Sequence, residues 1–119
     1  MEIRTLLNKL FEARDQIHYW HLHTSSYAEH KALQQFYEGW IDLVDQFTEA
    51  YQGAGAKVSG IINIQLMSYT PGCSIEYLKK CLSFINGDAR EISKDSDLNA
   101  ILDEMGILIR QTLFLLTLK

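Results

Sequence analysis

Apolar residues recur every three or four positions along most of this chain, and this spacing predicts α-helices. Four such runs cover about residues 2–23, 26–52, 74–94 and 97–118. A single proline among 119 residues leaves few turns for a β protein. The pattern therefore predicts an all-α fold.

The break between the first two predicted helices is short. Ser26 and Glu29 have the S-x-x-E spacing of a capping box, which predicts that the second helix starts there. So short a loop makes the two helices antiparallel neighbours. In the first helix His21 falls within the apolar stripe and His18 on its flank, so both are expected near His30 of the second helix.

The connection between the second and third helices is much longer, at about residues 53–73. Its segment IINIQLMSY has the β-branched content of a strand, but a lone strand would have no partner. We expect a crossover with one helical turn packed over the bundle. Loops in the order short, long, short predict two helical hairpins joined by a long crossover, the ferritin-like four-helix bundle. Residues 1–119 are expected to form one domain.

Composition narrows the choice of partners and compartment. The net charge of −4 and the lack of a lysine-rich arm argue against a nucleic acid as partner. Charged residues interrupt every apolar run before it could cross a membrane or act as a signal peptide. Cys73 and Cys81 have neither a zinc nor a disulfide spacing. These features predict a cytoplasmic protein.

The last predicted helix indicates self-association. Its C-terminal half, ILIRQTLFLLTLK, is apolar nearly all the way round. A surface helix needs only one apolar stripe, so this helix is expected to be covered on two sides. Another subunit is the simplest second cover, which predicts a homo-oligomer.

Histidines and acids of the first two helices carry the candidate chemistry. No E-x-x-H pair of the common di-iron type is present. The series His18, His30, Asp45 and Glu49 nevertheless resembles the His…His…Asp…Asp-x-x-x-Glu pattern of the Dps-like mini-ferritins. That resemblance implies a metal site shared between two subunits, with the histidines from one and the last two acids from the other. In a second alignment His21 takes the place of His18.

The resemblance implies iron as the metal, with zinc or manganese as alternatives. Where the family has its first aspartate this chain has Gln34, a poorer ligand. The family is one of ferroxidases, and the sequence leaves open whether this chain is an enzyme. The segment HLHTSSYAEHKAL also resembles short ferritin-like bacteriophage proteins of unknown function, which implies the host cytoplasm.

The sequence therefore leaves two possible functions open. The first is a ferritin-like metal-binding protein that uses His18, His21, His30, Asp45 and Glu49. The second is a helical oligomeric protein without enzymatic activity that binds or sequesters a partner. In that case the histidines are hydrogen-bonded core or interface residues, and the acids form a solvated helix face.

Overall fold

The computed structural model describes residues 1–60 and 63–118 of the chain. Its four α-helices are α1 (Ile3–His23), α2 (Tyr27–Gly53), α3 (Cys73–Asn86) and α4 (Ser96–Leu115). A 3-10 helix, Asp88–Glu91, stands between α3 and α4. No strand occurs in the described ranges, and the predicted all-α class is confirmed. None of the helices in these ranges has the length and apolar character needed to cross a membrane.

Contacts at the helix ends establish the direction of each helix. The start of α1, the end of α2 and the start of α4 meet around Ile3, Tyr51 and Leu98. At the opposite end a hydrogen bond from Ser74 to Glu29 joins the start of α3 to the start of α2. Helices α1 and α4 therefore run one way, and α2 and α3 the other.

The helices pack around one apolar core. Two indole N–H groups reach backbone carbonyls: Trp40 donates to Leu10 and Trp20 donates to Met67, each at 2.9 Å. Because both N–H groups are paired, burying these rings leaves no hydrogen-bond donor unsatisfied. The largest fully buried side chains are Trp20, Trp40, Phe36, Phe47, Leu6, Leu7, Leu10, Ile17, Leu33, Leu78, Ile85 and Met105.

The long connection runs along α1 in an extended conformation. Asn8 exchanges two hydrogen bonds with the backbone of Asn63, and Gln16 does the same with Met67. Eight helical residues rise about 12 Å and four extended residues span about 13 Å, so the two spacings match. The helical turn predicted in IINIQLMSY is absent from residues 63–69. Side chains of α1 bind the backbone of this segment in an extended conformation instead. Residues 61 and 62 of the segment lie outside the described ranges.

The third helix is shorter than the sequence pattern predicts. We expected it to reach residue 94, with a kink or an interruption at Asn86-Gly87, and it ends at Asn86. Gly87 has φ −117° and ψ −100°, which is not helical. Arg90 then donates to the carbonyl of Ile85 at 3.0 Å and to the carboxylate of Asp103 at 2.8 Å. One guanidinium therefore joins the end of α3 to α4.

Candidate functional site

Three of the predicted metal ligands meet where α1 turns into α2. The histidine cluster consists of His18, His21 and His30, with Tyr37 beside it. The rings of His21 and His30 stack with centroids 3.8 Å apart and planes inclined by 19°. His18 stacks on Tyr37 at 4.3 Å, and its centroid lies 6.1 Å from that of His21. His21, which the sequence pattern places within the apolar stripe, is buried, whereas His18, which it places on the flank, is exposed.

His21 and His30 bind each other's backbone. Nδ1 of His21 lies 2.7 Å from the carbonyl oxygen of His30, and Nδ1 of His30 lies 2.7 Å from that of His21. A carbonyl can only accept, so both Nδ1 atoms must carry hydrogen. In the neutral rings both Nε2 atoms therefore keep a free lone pair. Metal-binding histidines are commonly oriented by such a bond from the second ring nitrogen.

Stacking limits how these two rings can share an ion. The lone pair of an imidazole nitrogen lies in the ring plane, and the planes of His21 and His30 are nearly parallel. Their Nε2 lone pairs therefore do not converge on one point. Only one of the two rings can therefore coordinate a given ion, and the remaining ligands of that ion must come from other residues.

The predicted acids lie far from the histidines of the same chain. Asp45 and Glu49 are exposed on α2, and Asp45 follows His30 by fifteen residues, a rise of about 22 Å. Gln34 donates to Glu38 at 2.9 Å. Within residues 1–60 and 63–118 no three His, Cys, Asp or Glu side chains gather around a point where an ion could sit. A site combining these histidines with these acids needs a second copy of the chain.

Glu29 has a larger structural role than the capping box predicts. The backbone N–H of Glu29 donates to Ser26, which is the expected half of the box. Its carboxylate instead accepts hydrogen bonds from Thr24, Tyr69 and Ser74, each at 2.5 Å. The other half of the box is therefore replaced by contacts to the loop after α1, to the long connection and to α3, and residue spacing along the chain could not reveal the last two.

These bonds decide the charge state of Glu29. Burial alone would raise the pKa of this carboxyl group, but the hydrogen bonds from Ser74, Thr24 and Tyr69 together outweigh burial and lower it. The bond to Glu29 is in turn the largest cause that raises the pKa of Tyr69. The carboxylate is thus favoured in its ionised form and joins the ends of three helices through these hydrogen bonds.

Comparison with known proteins identifies a family. A family model described as "Family of unknown function (DUF5856)" matches residues 21–116, most of the chain. The matched range contains His21, His30, Asp45 and Glu49, and it begins after His18. No curated protein and no solved structure shows significant similarity to this chain.

Proposed function

The chain belongs to the DUF5856 family of unknown function, and we propose that it is a ferritin-like, Dps-like metal-binding protein. In this proposal two copies pair so that His18, His21 and His30 of one face Asp45 and Glu49 of the other. The observation that carries it is the bonding of His21 and His30. Each Nδ1 is fixed by a carbonyl, which leaves each Nε2 with a free lone pair, so that one of the two rings can bind an ion.

Helix order supports the ferritin-like part of the proposal. Helices α2 and α3 are parallel and are joined by a connection that travels along α1. Two antiparallel hairpins with one long crossover are the arrangement of ferritin-like bundles, whereas bundles with three short loops alternate in direction.

Exposure and spacing support a site between two copies. Asp45 and Glu49 are one turn apart on α2 and open to solvent, so a neighbouring chain can reach both. If two α2 helices pack antiparallel about their midpoints, the His30 end of one meets the Asp45 end of the other. The large separation within one chain then becomes a short distance between chains.

The donor set determines which ion would bind. Imidazole nitrogen with carboxylate oxygen suits Fe(II), and also Zn(II) or Mn(II). Bound iron would supply one-electron chemistry toward an oxidant. The histidines must be neutral to bind, so acid weakens binding. Gln34 contributes no carboxylate, which favours one ion per site over two.

Calorimetry with Fe(II) under anaerobic conditions, Zn(II) and Mn(II) tests the proposal. His30→Ala and Asp45→Ala should each abolish binding, while His23→Ala and Asp42→Ala, which change exposed residues outside the proposed site, should not. Circular dichroism checks that all four variants keep their helices. If the wild type binds none of the three ions, the protein is not a metal-binding ferritin relative.

A mixing experiment tests the shared site. The His30→Ala chain and the Asp45→Ala chain together form one intact site in each mixed dimer, so an equal mixture should recover about a quarter of the wild-type capacity. A site built within one chain would stay empty in the mixture. Continued absence of binding after subunit exchange would contradict the intersubunit arrangement.

A helical oligomeric interaction protein without enzymatic activity is the second candidate. It is favoured by the mutual bonding of His21 and His30, which explains both residues as structural parts of the helix junction. Exposed apolar side chains on α4, such as Ile107 and Phe114, supply a surface for another copy. Metal titration separates the two candidates, because only the first requires an ion.

A further inference from the structure

His18 and His21 are three residues apart on α1, so their side chains lie on the same side of the helix. The centroids of the two rings are 6.1 Å apart, and their planes are inclined by 42°. Two imidazoles bound to one ion hold their centroids about 4.5–6.5 Å apart, because each metal–nitrogen bond is about 2 Å long. The separation of His18 and His21 falls within this range, whereas the stacked rings of His21 and His30, at 3.8 Å, are too close.

One nitrogen of the buried His21 ring reaches solvent. Nδ1 is bonded to the carbonyl of His30, whereas Nε2 has no hydrogen-bond partner in residues 1–60 and 63–118. In the same ranges, Oγ1 of Thr48 is the one buried side-chain nitrogen or oxygen atom without a partner. Nε2 of His21 is therefore not buried, although only 5% of the residue is exposed. His18 is exposed, so an ion from solvent can reach both rings.

Tyr37 of α2 holds the His18 ring in place. The two rings stack with centroids 4.3 Å apart and planes inclined by 21°. The ring of Tyr37 also meets His21 edge to face at 5.2 Å. An exposed histidine without such contacts samples several rotamers, and binding an ion then costs the entropy of restricting them. Tyr37 lowers this cost, because His18 is already held beside His21.

We propose that His18 and His21 form a two-imidazole chelate that binds one Ni(II) or Cu(II) ion within a single chain. Two neutral nitrogens without a carboxylate favour these ions, which bind nitrogen ligands more tightly than Mn(II) or Fe(II) do. In this complex His30 orients His21 through its carbonyl and is not a ligand. The chelate rests on the proposed function only in sharing two of its ligands. It requires neither the acids of α2 nor a second copy of the chain.

Calorimetry of the full chain with Ni(II) tests the chelate and should find one ion per chain. His18→Ala leaves a single imidazole, so the affinity should fall at least about tenfold, since the second arm of a chelate binds as an intramolecular ligand. His23→Ala removes an exposed histidine of the same helix that is not part of the pair, and the affinity should stay unchanged. Circular dichroism confirms that both variants keep their helices.

Two further measurements address the role of Tyr37 and the number of ligands. Tyr37→Leu should weaken Ni(II) binding about threefold and Tyr37→Phe should preserve it, because the stacked ring is required and the hydroxyl is not. Electron paramagnetic resonance of the Cu(II) complex should show two imidazole nitrogens in the wild type and one in His18→Ala.

Three results would overturn the chelate: no binding of Ni(II) by the wild type, an unchanged affinity in His18→Ala, or a Cu(II) spectrum with a single imidazole. The first two arms of the test are separate from the proposed function. If the wild type binds Ni(II) through the pair but binds no Fe(II), Zn(II) or Mn(II), the proposed function fails and the chelate stands. If His18→Ala has no effect on Ni(II), the chelate fails, while His21 or His30 can still serve the site between two copies.

Discussion

His21 and His30 cross-link α1 to α2 through two hydrogen bonds of equal length. Each ring nitrogen Nδ1 lies 2.7 Å from the backbone carbonyl of the other residue. The carbonyl of His21 belongs to the last turn of α1, where helix carbonyls lack an intrahelical partner. His30 therefore caps the C-terminus of α1, and the stacked rings close the junction between the two helices.

Replacing His21 by alanine should destabilise the protein by about 2 kcal/mol, because a buried ring and its hydrogen bond are lost. Urea unfolding followed by circular dichroism measures this. The exposed His23→Ala should change stability by less than about 0.5 kcal/mol. The double variant His21→Ala with His30→Ala should cost less than the two single changes added, since the residues interact. Additive costs would show that the two residues do not act as a pair.

Glu29 should make stability depend on pH in the acid range. Its pKa is lowered in the folded state, so the carboxylate contributes stability that is fully present above the ordinary pKa of 4.5. That contribution is lost as the pH falls through the lower folded-state value. Unfolding measured at a series of pH values should therefore show a loss of stability below about pH 4.5 that Glu29→Gln reduces.

The same substitution should lower stability at neutral pH by about 1 kcal/mol, after allowance for solvent screening of a half-buried group. An amide oxygen can still accept from the hydroxyls on one side of the group, but the NH₂ group replaces an acceptor by a donor on the other side. Glu38→Gln is the matched control on the exposed part of α2. Equal acid sensitivity in the wild type and Glu29→Gln would assign the pH dependence to other carboxylates.

Gln34→Asp should strengthen metal binding if the proposed site exists. Aspartate supplies an anionic oxygen where the amide now bonds to Glu38, and carboxylates bind divalent ions much better than amides do. We expect a gain of about tenfold in affinity, measured by calorimetry with Zn(II) or Mn(II). Gln35→Asp, on the neighbouring exposed position, is the control. If Gln34→Asp binds the metal with the same affinity as the wild type, residue 34 is not part of the site.

Phe114 should contribute to self-association through α4. Its side chain is 63% exposed, and Ile107 lies on the same helix at 46%. Burial of one such side chain stabilises contact by about 2 kcal/mol, so Phe114→Glu should raise the dimer dissociation constant at least about tenfold. Sedimentation equilibrium measures the change, with Leu66→Lys in the connection as control. A wild type that stays monomeric at high concentration would contradict the prediction.

The helices themselves are largely a property of the sequence. Their apolar spacing predicts α1, α2 and α4 within a few residues of the bounds observed. Helical periodicity can be recognised from residues only three or four positions apart. The burial of His21 and the exposure of His23 follow from the same spacing. The proximity of His21 to His30 follows from a loop too short to separate them.

Tertiary contacts decided what local patterns could not. The early end of α3 depends on Gly87 and on the bonds of Arg90 to α4. The extended connection depends on Asn8 and Gln16 of a distant helix. The three hydroxyl bonds to Glu29 bring together residues up to forty-five positions apart. Sequence alone determined the extents of α1, α2 and α4 and which of their residues face inward, because those properties depend on neighbours three or four positions away. Only the folded chain determined the partners of each polar side chain, because hydrogen bonds form between atoms that are close in space.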